Sequence, residues 1–123
     1  MSDLQCPATI VLIPSASLGS SACNRALEGH RLSGLFVAEQ APPAAISNLA
    51  AANDLTIERV QTGSDRKGFR QALEGLADAY RGEAIALVAS GEALQLGLGL
   101  DAVLEEPVVL SVDSSGWTIV PRR

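Results

Sequence analysis

Two unbroken apolar runs constrain the fold of this chain more strongly than any other feature of its sequence. Residues 9–13 are all β-branched or aliphatic, and residues 83–89 form a second apolar run after an initial Glu83. Runs without polar alternation are typical of parallel strands that helices cover on both faces. Both runs therefore predict strands in the centre of an α/β sheet.

The rest of the chain alternates between helical and extended patterns, which predicts a three-layer α/β/α sandwich with a mostly parallel sheet. Residues 107–120 read as two strands around a tight turn at 113–116, so we expect a C-terminal antiparallel hairpin on one sheet edge. The other predicted elements are a helix over 22–29, a strand over 32–38, a helix over 42–53, a strand over 55–60, a long helix over 67–81 and an apolar helix after Ser90.

Length, charge and cysteine content narrow the possible classes of protein. The 123 residues suit one domain, 1–123, and the formal charge of −5 disfavours nucleic acid and anionic membrane surfaces as partners. Cys6 and Cys23 make no disulfide framework, and no Cys/His spacing resembles a metal site, so we expect no metal and no other cofactor. Without a signal-peptide pattern or a membrane-length apolar run, we expect a cytoplasmic protein.

Both central runs lead into short segments of small residues, at the place where open α/β sheets bind ligands. "PSAS" follows the first run and "SGE" extends the second, and neither contains Arg, Lys or His. Glu92 places a negative charge where an anion would dock on the next helix. The candidate ligand-binding residues are Ser15, Ser17, Ser90, Gly91 and Glu92.

Structural roles compete with these functional ones. Ser15 and Ser90 suit nucleophiles or phosphate donors, but small polar residues at strand ends more often cap helices and satisfy backbone groups. His30 is more typical of a surface residue near a helix end than of a catalytic base, and Cys23 of a packed thiol than of a reactive one. The Arg66–Lys67 doublet is typical of a solvated helix start.

The segments "IVLIPSAS" and "IALVASGEAL" are similar to the two signature strands of the histidine phosphatase, or phosphoglycerate-mutase-like, superfamily. In that family the first strand ends in Arg-His-Gly and the second in Ser-His-Gly. The similarity extends through "LFVAEQAPPAAISNLAAANDL", "GFRQALEGLADAYRGEAIALV", "LQLGLGL" and the closing "VVLSVDSSGWTIV", and so covers nearly the whole chain by pattern more than by identity.

The resemblance implies an active site that has lost its chemical groups. The first family arginine falls on Pro14, the nucleophilic histidine on Ser15 and the glycine on Ala16, while the second arginine falls near Pro42 and the second histidine on Ser90. The acidic proton donor has only Asp65 as its nearest counterpart, without a supporting motif. The resemblance also implies that the two signature strands lie side by side and parallel, with Ser15 and Ser90 at the same sheet edge.

These observations lead to one main hypothesis and two alternatives. The main hypothesis is a catalytically inactive histidine-phosphatase-like protein that binds an unknown small molecule or protein partner. The alternatives are a hydrolase or transferase that uses Ser15, Ser90 or Glu92 on a small, non-anionic ligand, and a structural subunit. Positive mean hydropathy, an apolar helix near 94–100 and an open hairpin edge also lead us to expect a twofold homodimer.

Overall fold

The computed structural model describes residues 8–15, 21–27, 31–38, 44–60, 66–99, 101–102, 106–113 and 116–120. Strands and helices alternate along this part of the chain until a final pair of strands, as the sequence pattern predicts. In chain order the elements are β1 Ala8–Pro14, α1 Ser21–Leu27, β2 Leu32–Val37, α2 Ala44–Asn53, β3 Ile57–Arg59, α3 Arg66–Ala79, β4 Ala84–Ala89, α4 Gly91–Leu98, β5 Val108–Asp113 and β6 Gly116–Val120.

The six strands form one sheet in the order β3-β2-β4-β1-β5-β6. The first four strands in this order are parallel, whereas β5 runs antiparallel to β1 and β6 antiparallel to β5. Asp113 pairs with Gly116, so only two residues join the strands of the closing hairpin. The predicted mostly parallel sheet with a C-terminal antiparallel hairpin is confirmed.

Helices pack on both faces of the sheet, which confirms the three-layer architecture. On one face, Phe69 of α3 and Leu94 of α4 belong to the same buried cluster as Ile10 of β1. On the other face, Ile46 of α2 belongs to a second cluster with Val11. Successive residues of β1 therefore point into different layers, and both layers are apolar, which explains why the strand sequence does not alternate.

The end of α2 explains why β3 is shorter than the six residues predicted for it. Asp54 adopts a left-handed conformation with φ 57°, and its amide donates to the Ala51 carbonyl. The amide of Leu55 donates to the Ala50 carbonyl at 2.9 Å, which completes a Schellman cap. Because Leu55 still serves the helix end, the strand begins only at Ile57.

The predicted apolar stripe of α3 is confirmed by burial of Phe69, Leu73 and Ala77. The helix ends at Ala79 instead of Arg81, and Gly82 follows in a left-handed conformation with φ 79°. The glycine lets the chain turn sharply into β4, which begins two residues later at Ala84.

The predicted apolar helix after Ser90 is α4, and it packs one side against the core while another apolar residue faces outward. Leu94 is fully buried and Leu98 is half-buried, whereas Leu96 is 52% exposed. Gly99 ends α4 with φ 72°, and its amide donates to the carbonyls of Gln95 and Leu96. The apolar surface of α4 is mostly used inside the domain, so this helix supplies no large exposed patch for self-association.

Two helical glycines give a matched test of the packing between α3 and α4. A Cβ built on Gly97 would overlap the Phe69 ring, whereas a Cβ on Gly75 has nothing within 4 Å. We expect Gly97→Ala to lower the free energy of unfolding by about 1–3 kcal/mol through overpacking. We expect Gly75→Ala to raise it by up to about 1 kcal/mol through helix propensity. Urea unfolding measures both, and equal effects of the two substitutions would contradict this packing.

Candidate functional site

The pairing of β1 with β4 brings the two serine segments to one sheet edge. The strands pair in parallel over six positions, from Thr9 opposite Ala84 to Pro14 opposite Ala89. Ser15 and Ser90 follow directly at the carboxyl ends of the two strands. The predicted parallel adjacency of these two strands is confirmed, and this edge is the place where open α/β sheets bind ligands.

Proline completes β1, which extends one residue further than the apolar run predicts. Pro14 is buried and forms the last register pair with Ala89. Proline has no backbone N–H, and the end of a strand tolerates this loss better than its middle does. The position that the resemblance assigns to the first family arginine is therefore part of the packed sheet.

Ser90 has a defined structural role as the N-cap of α4. Its backbone is extended, with φ −65° and ψ 151°, and its Oγ accepts a hydrogen bond from the Ala93 amide at 3.1 Å. Its carbonyl accepts from the Leu94 amide at 3.0 Å. These contacts favour the capping role over the role of a nucleophile, because the hydroxyl oxygen is already a hydrogen-bond acceptor.

The remaining sequence candidates fall partly inside the described residues. Ser15 is half-buried after β1, Gly91 begins α4, and Glu92 is exposed in the first turn of that helix. Glu92 stabilises the positive end of the helix dipole, and this carboxylate would repel an anion that approached the same end. Ala16, Ser17, His30, Pro42 and Asp65 lie outside the described residues, as does the side chain of Cys23.

The segments that follow the parallel strands contain acidic residues and no basic ones. Four parallel strands end at the same edge, and the segments that follow them are 15–20, 38–43, 60–65 and Ser90. None of these residues is Arg, Lys or His, whereas Glu39 and Asp65 are acidic. Phosphoryl groups require convergent cations or donors, and the sequence of these segments supplies no cation.

The described residues do contain a groove, and α3 lines it. Its volume is about 470 Å³, and Arg66, Lys67, Arg70, Gln71 and Glu74 surround it. None of the candidates predicted at the strand ends lines this groove. The sequence favours a solvated helix start for the Arg66–Lys67 doublet, and the signal for a basic surface is the i, i+4 spacing of Arg66 and Arg70.

Part of this basic surface has a structural explanation. A Cβ on Gly99 would lie 3.0 Å from Nη2 of Arg66, so the guanidinium lies against the C-terminal end of α4. The positive charge of Arg66 stabilises α4 here, because the C-terminal end of a helix dipole is negative. Within the described residues, no three His, Cys, Asp or Glu side chains come together to hold a metal ion, and none of the helices has the length and hydropathy of a membrane span.

The capping role of Ser90 gives a prediction about stability. We expect Ser90→Ala to lower the free energy of unfolding by about 1 kcal/mol, because the Ala93 amide loses its acceptor. The matched variant Ser90→Thr keeps a hydroxyl and should retain most of this stability. Thermal or urea unfolding distinguishes the two, and an alanine variant as stable as the wild type would rule out the capping role.

No family model and no curated protein matches this chain. The site is therefore defined by its own residues. It consists of two small-residue segments at the carboxyl ends of paired central strands, one of which caps a helix.

Proposed function

We propose that this chain is a catalytically inactive relative of the histidine phosphatases that acts as a binding or interaction module. The observation that carries the proposal is the register of β1 and β4, which sets Pro14 opposite Ala89 and both serine segments at one edge. The resemblance implies this arrangement for the two signature strands. The closing hairpin of β5 and β6 supports the same proposal, because it follows the second signature strand and its helix as the resemblance implies.

The absence of catalysis follows from the groups at the signature positions. Phosphoryl transfer depends on positioning and on cations that stabilise the charged oxygens of the transferred group. Pro14 is a buried strand residue, Ser15 carries no charge, and Ser90 caps α4. Glu92 is exposed in the same first turn and opposes an anionic substrate.

The main competing function is an enzyme with a serine nucleophile. The sequence and the fold provide no evident general base for Ser15. A serine nucleophile needs a general base within hydrogen-bond reach. The only histidine of the chain, His30, precedes the amino end of β2 by two residues, whereas Ser15 follows the carboxyl end of β1. Glu92 is the nearest carboxylate in sequence to Ser90, but the Ser90 hydroxyl oxygen already accepts a hydrogen bond from the Ala93 amide as the cap of α4.

The proposal predicts no turnover of phosphomonoesters. Wild-type protein should hydrolyse neither an aryl phosphate nor a phosphohistidine peptide above background, because the transition-state charge has no stabilising partner. Ser15→His alone should remain inactive, because the new nucleophile has no cation beside it to neutralise the charge of the phosphoryl oxygens. Ser15→Ala is the matched control, with circular dichroism to verify folding. Wild-type turnover that disappears in Ser15→Ala would overturn the proposal and establish a serine enzyme.

A further inference from the structure

Three of the nine Lys and Arg residues of this acidic chain line the groove on α3. Arg66, Lys67 and Arg70 contribute three positive charges to its lining, and Glu74 contributes one negative charge. The chain as a whole carries a formal charge of −5. The groove is therefore a local concentration of positive charge on a protein whose net charge repels anions.

The geometry of α3 gives the groove a positive end and a negative end. Residues four apart lie one above another on a helix, so Arg66, Arg70 and Glu74 form one row, and Lys67 and Gln71 form the row beside it. Glu74 lies about 6 Å further along the helix axis than Arg70. All five side chains are exposed, so a ligand reaches them from solvent without any change in the packed core.

The positive end of the groove is unfavourable for the helix that carries it. Arg66 and Lys67 occupy the first turn of α3, which contains no acidic residue. Cations near the N-terminus of a helix oppose its dipole, whereas the acidic Glu92 in the first turn of α4 is stabilising. The C-terminal end of α4 compensates Arg66, but no described carboxylate pairs with Lys67. Because a bound anion would relieve this repulsion, the arrangement suits binding better than stability.

We propose that the groove binds a small phosphate monoester, with the phosphate at the positive end and a neutral, hydroxylated part towards Glu74. A phosphate monoester carries about two negative charges at neutral pH. Two guanidinium groups and one ammonium group supply both the opposite charge and the N–H donors that its oxygens accept.

The negative end of the groove and its size restrict the rest of the ligand. The Glu74 carboxylate accepts hydrogen bonds from hydroxyl groups and repels a second anionic group, so it favours a sugar phosphate over a polyanion. The volume of about 470 Å³ lies in the range of small-molecule sites.

Amide chemical shifts of the full chain, recorded during titration with ribose 5-phosphate, test the proposal. Saturable shifts should appear at the amides of Lys67, Arg70 and Gln71. Inorganic phosphate should shift the same amides with an affinity lower by about threefold or more, because it lacks the hydroxyl groups that Glu74 accepts. Succinate, which carries its two charges on separate carboxylates, should bind more weakly than ribose 5-phosphate, and ribose alone should cause no saturable shift.

A matched pair of charge substitutions locates the site. Lys67→Gln should weaken ribose 5-phosphate binding by about threefold or more, since one exposed cation is lost. The same substitution should not lower the stability of the protein, because lysine opposes the dipole of α3. Arg25→Gln removes an exposed cation from α1, which packs on the other face of the sheet, and should leave the affinity unchanged.

Each result decides the proposal. Wild-type protein without a saturable shift up to about 10 mM ribose 5-phosphate overturns it, as does a folded Lys67→Gln variant with unchanged affinity. Equal affinity for succinate overturns the phosphate class, and equal weakening by Arg25→Gln shows unspecific attraction and overturns the site. These outcomes are separate from the inactivity of the serine edge: turnover of an aryl phosphate would overturn that inactivity alone, and an absence of shifts on α3 would overturn the groove alone.

Discussion

Parallel pairing of β1 with β4 is the contact on which the rest of this domain depends. The strands share six register pairs, and the residues from Ile10 to Ile13 and from Ile85 to Ala89 are completely buried. Every further strand adds to this pair directly or in turn: β2 to β4, β5 to β1, then β3 and β6 at the edges. Helices cover both faces, so aliphatic burial on two sides supplies much of the driving force for folding.

The same pairing determines at which edge a ligand could bind and which protein groups lie at that edge. Two strands in register end together, so the segments after Pro14 and Ala89 lie at one edge with the start of α4. A helix N-terminus is ordinarily favourable for an anion. Here a serine hydroxyl caps that terminus and Glu92 occupies its first turn, so the protein itself satisfies the helix end. The segments that follow the four parallel strands contribute no Arg, Lys or His with which an anion could pair.

The sequence predicts those parts of the fold whose local pattern and burial agree. The apolar runs of β1 and β4 and the apolar stripe of α3 are examples, because residues that face a buried layer recur with the period of the strand or helix that carries them. Errors arise where a residue serves two elements: Leu55 fits a strand pattern but closes the end of α2, and Pro14 looks like a loop residue but ends β1. Contacts between distant residues leave no local pattern, so the fit of Gly97 against Phe69 could not be predicted.

The candidate site was also predicted only in part from the sequence. Sequence reasoning identified Ser15 and Ser90 and their shared edge, while the cap geometry of Ser90 required coordinates. The basic groove of α3 was missed because Arg66, Lys67 and Arg70 resemble an ordinary solvated face, and only their common cavity distinguishes them. An amphipathic helix carries charge on its outer face whether or not a groove lies beside it.

Titration with orthovanadate, an analogue of the phosphoryl transition state, followed by amide chemical shifts, distinguishes an inactive edge from a working phosphoryl site. A working phosphoryl site would bind this anion through backbone and side-chain donors at the strand ends. We expect no saturable shift at the amides of Ser15, Ser90 or Gly91. Saturable shifts at these three amides would show an intact anion site at this edge of the sheet and would contradict an inactive site.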